Sequence, residues 1–181
     1  ALGIVLGISL AVYYFMNREE KIEKRIVLDQ QIYSTPKLDK TMENVVDKIN
    51  LKIKEWDDNV IYPQAFVIID LNNIKDINDS HGHEEGDTII KKAASTLIVN
   101  QEPNTDIIRT DGNEFLVYMV GYSEKDVISY TRKIYKELKE LPYGYGAAIG
   151  YSMIMDDIKT VDDAINEATI DMRNKKENNN G

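Results

Sequence analysis

Ala65-Phe-Val-Ile-Ile-Asp70 runs without a break into Leu71-Asn-Asn73-Ile74-Lys75-Asp-Ile-Asn78-Asp79-Ser-His81-Gly82-His83-Glu-Glu-Gly86-Asp87. The first part is a short, continuous apolar run, the pattern of a strand buried on both faces. The second part puts a carboxylate, an Asn-rich turn, a lysine and a Gly-rich bend at the end of that strand, a combination that suits a metal and phosphates. It leads into a helix expected over about 86–99, with Ile89, Ile90, Ala93, Leu97 and Ile98 as its buried stripe.

Working outward, Asp111-Gly112-Asn113 lies between two more apolar segments, 106–110 and 114–120, and Asp-Gly between such runs is a strong hairpin signal. Helical spacing predicts further helices over 39–56, 125–141 and 161–175, and an apolar run predicts a strand over 146–154. The polar end, 174–181, reads as frayed. The order is helix, strand, helix, strand, strand, helix, strand, helix. This is an α/β (α+β) pattern, a ferredoxin-like palm with a central mixed sheet and helices packed on it.

Composition narrows the chemistry. The 181 residues allow one sizeable domain and an appendage, and 43% hydrophobic with 29% charged residues is ordinary for a folded protein. A net charge of −9 argues against nucleic acid as a partner, since such binding runs on Lys and Arg neutralising phosphates. With no cysteine and only two histidines, thiolate and typical zinc chemistry is excluded. Carboxylate and amide oxygens remain, and these suit Mg²⁺.

Ala1 to Met16 carries no charge and is almost wholly apolar. As a helix it would span roughly 24 Å of the ~30 Å hydrocarbon core, so 1–16 is read as the C-terminal part of a transmembrane helix. Tyr13, Tyr14 and Phe15 form an interfacial belt, and Arg18, Lys21, Lys24 and Arg25 place the chain beyond residue 17 in the cytoplasm, at the inner or cell membrane. The expected organisation is this anchor, a linker or signalling helix over 17–38, a domain over 39–176 and a polar tail over 177–181.

Asp70, Lys75, Asn78, Asp79, Gly82, His83, Gly86 and Asp87 fall in one gapless register that resembles the GGDEF family, the diguanylate cyclases. Asp111-Gly-Asn-Glu-Phe115 stands where that family has its signature turn, and Ala148-Ile-Gly-Tyr-Ser152 resembles its Ser-x-Gly strand. The likeness covers about residues 65–176. It implies a nucleotidyl-cyclase palm in which two protomers each hold one GTP and each 3′-hydroxyl attacks the partner's α-phosphate. Cyclic di-GMP and two diphosphates leave, with Mg²⁺ as cofactor. The partners implied are GTP and a second GGDEF domain, in a homodimer or heterodimer.

By that resemblance Asp70, Asn113 and Glu114 occupy the catalytic positions. Asp70, the Leu71 carbonyl and Asn113 occupy the metal positions. Asn73, Ile74, Lys75, Asp111, Gly112 and Lys176 lie where phosphates bind, and Asn78 and Asp87 where the guanine edge is read. Taken alone, Asn78 and Asp79 are also ordinary turn residues, Asp87 is also a favourable charge near a helix start, and His83 is read as a local packing residue.

The departures are specific. Asn113 is a neutral amide where the family has a carboxylate, and Asp111 replaces a glycine. Asn72 replaces an Asp, Ile74 a Phe and Asn180 an arginine, and 101–106 lacks the Arg of the product-inhibition motif. Loss of one charge at about 4 Å removes roughly 4 kcal/mol at an effective dielectric near 20, on the order of a thousandfold in rate. The expectation is a degenerate cyclase that binds GTP or a partner with weak or no turnover and a weakened Mg²⁺ site. The alternatives are an active diguanylate cyclase and a dimerisation scaffold that binds nothing.

Overall fold

The computed structural model of the chain describes residues 42–55 and 60–178. The first element, α1 (Met42–Lys54), buries Val45, Val46 and Ile49 at helical spacing. Strand β1 (Gln64–Leu71) follows, and every residue in it except Asp70 is buried, as a strand covered on both faces must be. Two helices come next, α2 (Ile74–His81) and α3 (His83–Val99), separated by Gly82 at φ +90°, a conformation that glycine alone adopts freely. The hairpin β2 (Thr105–Asp111) and β3 (Glu114–Val120) leads to α4 (Glu124–Lys139), whose start is fixed by a reciprocal Ser123–Asp126 capping box. Strand β4 (Ala147–Ile154) and α5 (Val161–Asn178) complete the chain.

The strand order is β2-β3-β1-β4, and all three neighbouring pairs are antiparallel. The palm expected from sequence is therefore present, but its sheet is not of mixed direction. β1 and β2 do run the same way. The hairpin folds β3 back between them, so no two neighbours are parallel.

One face of the sheet presents Phe66 and Ile68 of β1, Leu116 and Tyr118 of β3, and Ala148 and Ile154 of β4. These pack against Val45, Val46 and Ile49 of α1 and against Val161, Ala164, Ile165, Ala168 and Met172 of α5. Gly150 sets how closely α5 approaches: a Cβ there would fall well inside contact distance of Met172 N and Ala168 O. β4 is an edge strand, and Asp171 of α5 accepts a hydrogen bond from the Tyr151 backbone N–H at 3.0 Å. On the opposite face Leu71 lines a small cavity with Ile74, Ile77, Ile89 and Leu138 of the other helices.

Three differences from the sequence reading bear on the site. Residues 74–81 form a helix instead of a turn, because Ile74 and Ile77 are buried one turn apart on the sheet while the polar positions face out. Helix α3 begins at His83, three residues earlier than expected. Helix α5 continues to Asn178, so 174–178 are helical and the expected domain limit at 176 falls inside a helix. The expected membrane helix over 1–16, the linker over 17–38 and Asn180 lie outside the described residues. No helix among the described residues is long and apolar enough to cross a membrane.

Candidate active site

Period-2 alternation along β1 puts Asp70 on the same face as Phe66 and Ile68, the face covered by α5. In register it lies directly opposite Glu114 on β3 and Ala148 on β4. Two carboxylates opposite one another in a ladder repel, and something must offset them. Lys176, in the last turns of α5, does so: its Nζ donates to Asp70 Oδ1 at 2.8 Å. Only 17% of the Asp70 side chain is exposed, against 34% for Lys176, so water screens this pair less than a surface ion pair.

The β2–β3 turn hangs over the same carboxylate. Its backbone is pinned twice. Arg109 Nε and Nη2 both donate to the Gly112 carbonyl, at 3.0 and 2.5 Å, and the Gly112 N–H donates to Asp111 Oδ1 at 2.7 Å. Asp111 thus turns its side chain onto its own turn. The Leu71 N–H donates to the Asn113 carbonyl at 3.0 Å, tying the turn to the end of β1.

The Asn113 side chain donates from Nδ2 to Asp70 Oδ1 and to the Leu71 carbonyl, both at 3.0 Å. Both neighbours are pure acceptors, so the amide must present its NH₂ to them and its oxygen elsewhere. From sequence the Asn113 oxygen is the expected metal ligand, whereas the structure aims the donor end at the metal positions. Glu114 lies across from Asp70, and its Oε1 accepts the Thr110 hydroxyl at 2.7 Å.

A divalent ion at Asp70 would need oxygens free to converge on it. Of the groups expected to do this, the Asp70 carboxylate receives an ammonium and an amide NH₂ on Oδ1, the Leu71 carbonyl receives the same amide, and Asn113 presents its donor end. Among the described residues no group of three or more His, Cys, Asp and Glu side chains is placed to hold a metal. The residues as arranged do not fit Mg²⁺.

The nucleotide side is arranged differently. Asn73 sits in the left-handed region, φ 56° and ψ 24°, and starts α2. Ile74 and Lys75 are therefore in the helix's first turn, where backbone N–H groups lack intrahelical partners and favour anions. Lys75 is exposed and Ile74 is buried. Asn78 on α2 and Asp87 on α3 flank the Gly82 bend, with Asp87 exposed. Asn78 lies over Gly86 so closely that a Cβ at 86 would overlap its amide. Asn78 Oδ1 is buried against Gly86 and has no hydrogen-bond partner among the described residues. The Gly86 contact and the Arg109 clamp escape a reading of the sequence, and Gly86 in the gapless motif is the signal for the first. Asn72 does not join the carboxylate: its Nδ2 donates to the Tyr145 carbonyl at 3.0 Å and its N–H to Gly146 O.

An antiparallel palm with a carboxylate at the end of a central strand and a hairpin turn folded over it defines a nucleotidyl-cyclase-like domain. The family model described as "Diguanylate cyclase, GGDEF domain" matches residues 43–181, and the chain belongs to that family. Diguanylate cyclase DosC of Escherichia coli (strain K12) is 31% identical over 72 residues, 40% of this chain and 16% of that protein. An uncharacterized membrane protein of Staphylococcus aureus (strain USA300) is 28% identical over 128 residues, 61% of this chain and 36% of that protein. The matches thus span well under half of those relatives.

Among solved structures, diguanylate cyclase SiaD, in complex with its activator SiaC from Pseudomonas aeruginosa, aligns with TM-score 0.66 at 16% identity. That alignment covers 96% of this chain and 74% of SiaD. The active GGEEF domain of a diguanylate cyclase from Vibrio cholerae aligns with TM-score 0.61 at 18% identity, covering 72% of this chain and 85% of that one. At these identities the likeness is one of fold.

Proposed function

We propose that this GGDEF domain serves cyclic-di-GMP-type signalling as a degenerate cyclase, which binds GTP at Asn78, Asp87 and the start of α2 and turns it over weakly or not at all. The observation that carries this reading is the orientation of the Asn113 amide, whose NH₂ faces Asp70 Oδ1 and the Leu71 carbonyl. An amide in that position repels a cation instead of ligating it, so the Mg²⁺ site is weakened while the guanine side keeps its polar pair. Retained binding is supported by the pairing of an amide, Asn78, with an exposed carboxylate, Asp87, across the Gly82 bend, groups that suit guanine's acceptors and donors. Pairing with a second GGDEF domain, of this chain or another, belongs to the same reading. Anchoring through residues 1–16 is supported by the apolar run itself and by the staphylococcal relative's name.

Calorimetric titration of the full chain with GTP, followed by chromatography of the same sample, tests it. Saturable binding without cyclic dinucleotide is the expected result, and Asp87→Ala should weaken the binding at least tenfold. Rapid product formation would establish an active cyclase, and no binding would make the domain a scaffold.

A further inference from the structure

Lys176, near the end of α5, and Asn113, in the β2–β3 turn, meet on one oxygen. The ammonium from α5 and the amide from the hairpin turn both donate to Asp70 Oδ1, at 2.8 and 3.0 Å, and the amide's other N–H reaches Leu71 O at 3.0 Å. Three donor contacts therefore converge on two acceptor atoms at the end of β1, Asp70 Oδ1 and Leu71 O. Electrostatically this is what a bound cation would do: it places positive charge on the carboxylate and the positive end of a dipole on the carbonyl.

An ammonium carries three N–H donors, and Lys176 uses one of them on Asp70. The Lys176 side chain is 34% exposed, so its remaining donors are open to a ligand on the face of the sheet that carries Asp70. We infer that Lys176, supported by the Asn113 amide, is a tethered substitute for a divalent cation at Asp70, so that the site accepts the polyphosphate of a purine nucleoside triphosphate with no metal ion bound at that carboxylate. This rests on the nucleotide-binding reading above and gives it a specific ligand form, the metal-free nucleotide. The tethered charge is single and fixed to a helix, so it holds a phosphate in place without supplying the second, mobile positive charge of a metal ion.

The test is GTP binding to the full chain by calorimetry, once in excess EDTA and once in Mg²⁺. The expected result is dissociation constants within about threefold of each other. Lys176→Met should lose at least tenfold in EDTA, whereas Lys176→Arg, which keeps charge and donors, should stay within threefold of the parent. Melting curves of both variants report whether they are folded. A Mn²⁺ titration without nucleotide, followed by electron paramagnetic resonance, should show no tight site in the parent chain.

Binding that requires Mg²⁺, a tight Mn²⁺ site, or a folded Lys176→Met variant that binds normally in EDTA would each overturn this inference and leave nucleotide binding standing. Absence of GTP binding in both EDTA and Mg²⁺ would overturn the nucleotide reading and this inference together.

Discussion

Asn113→Asp replaces one NH₂ by one oxygen and should change both the stability of the domain and its response to metal. The substitution removes two N–H···O bonds of 3.0 Å, each contributing about 1 kcal/mol net. It also sets a carboxylate at hydrogen-bond distance from Asp70, in addition to Glu114 across the ladder, and two unit charges at that separation repel by roughly 5 kcal/mol at an effective dielectric near 20. Lys176, 2.8 Å from the same Asp70 oxygen, offsets much of this repulsion. The net loss without divalent ions should be about 2–4 kcal/mol, a fall of roughly 1–2 M in urea midpoint for a slope near 2 kcal/mol/M. The same variant replaces the donor facing Asp70 by an anionic oxygen, so millimolar Mg²⁺ should restore most of the loss by binding only the folded state. The parent chain should unfold at the same urea concentration in EDTA and in Mg²⁺. The assay is urea denaturation of both proteins in both buffers. An Asn113→Asp variant as stable as the parent in EDTA, or one indifferent to Mg²⁺, would refute the orientation assigned to the amide and the cation-like role built on it.

The same geometry sets other expected outcomes. Asn113→Glu combined with Asp111→Gly should raise cyclic dinucleotide formation from background, measured by chromatography after incubation with GTP and Mg²⁺, and no gain would count against the metal argument. Gly150→Ala should destabilise the domain by about 3 kcal/mol in urea, since its Cβ meets backbone atoms of Met172 and Ala168 that cannot rotate away. Glu167 is held below the ordinary carboxyl value of 4.5 by its hydrogen bonds from Lys159 and then Ser152. Its folded value is the lower one, so its stabilising contribution is complete above pH 4.5 and disappears as the pH falls through the lowered value. The stability difference between the parent and Glu167→Gln, followed by denaturation from pH 7 to pH 3, should shrink over that interval.

The sequence made the palm legible where its signals were local. Ala65–Ile69 is apolar on both faces, and Asp-Gly between apolar runs marks the hairpin, so β1 and the β2–β3 turn could be placed from neighbours alone. Helix α2 escaped because Ile74 and Ile77 are its only buried residues, and eight residues dominated by Asp, Asn, Ser and His read as a turn. Sheet direction escaped because it depends on which strands become neighbours, a property of the chain's path. The site divides in the same way. Asp70, Asn113 and Lys176 could be singled out by motif spacing, but the direction in which the Asn113 amide faces is set by acceptors 42 and 43 residues away, and the ion pair joins residues 106 apart.

Helix α5 holds two things shut at once. Near its end Lys176 covers Asp70, and one and a half turns earlier Asp171 occupies the outward-facing Tyr151 amide of the sheet's edge. An edge strand with open amides is a template for pairing with another chain. Any change that lifts α5 to clear the carboxylate therefore also unmasks that template, so variants selected for an open site should tend to self-associate along β4, and solubility would limit how far the site can be opened.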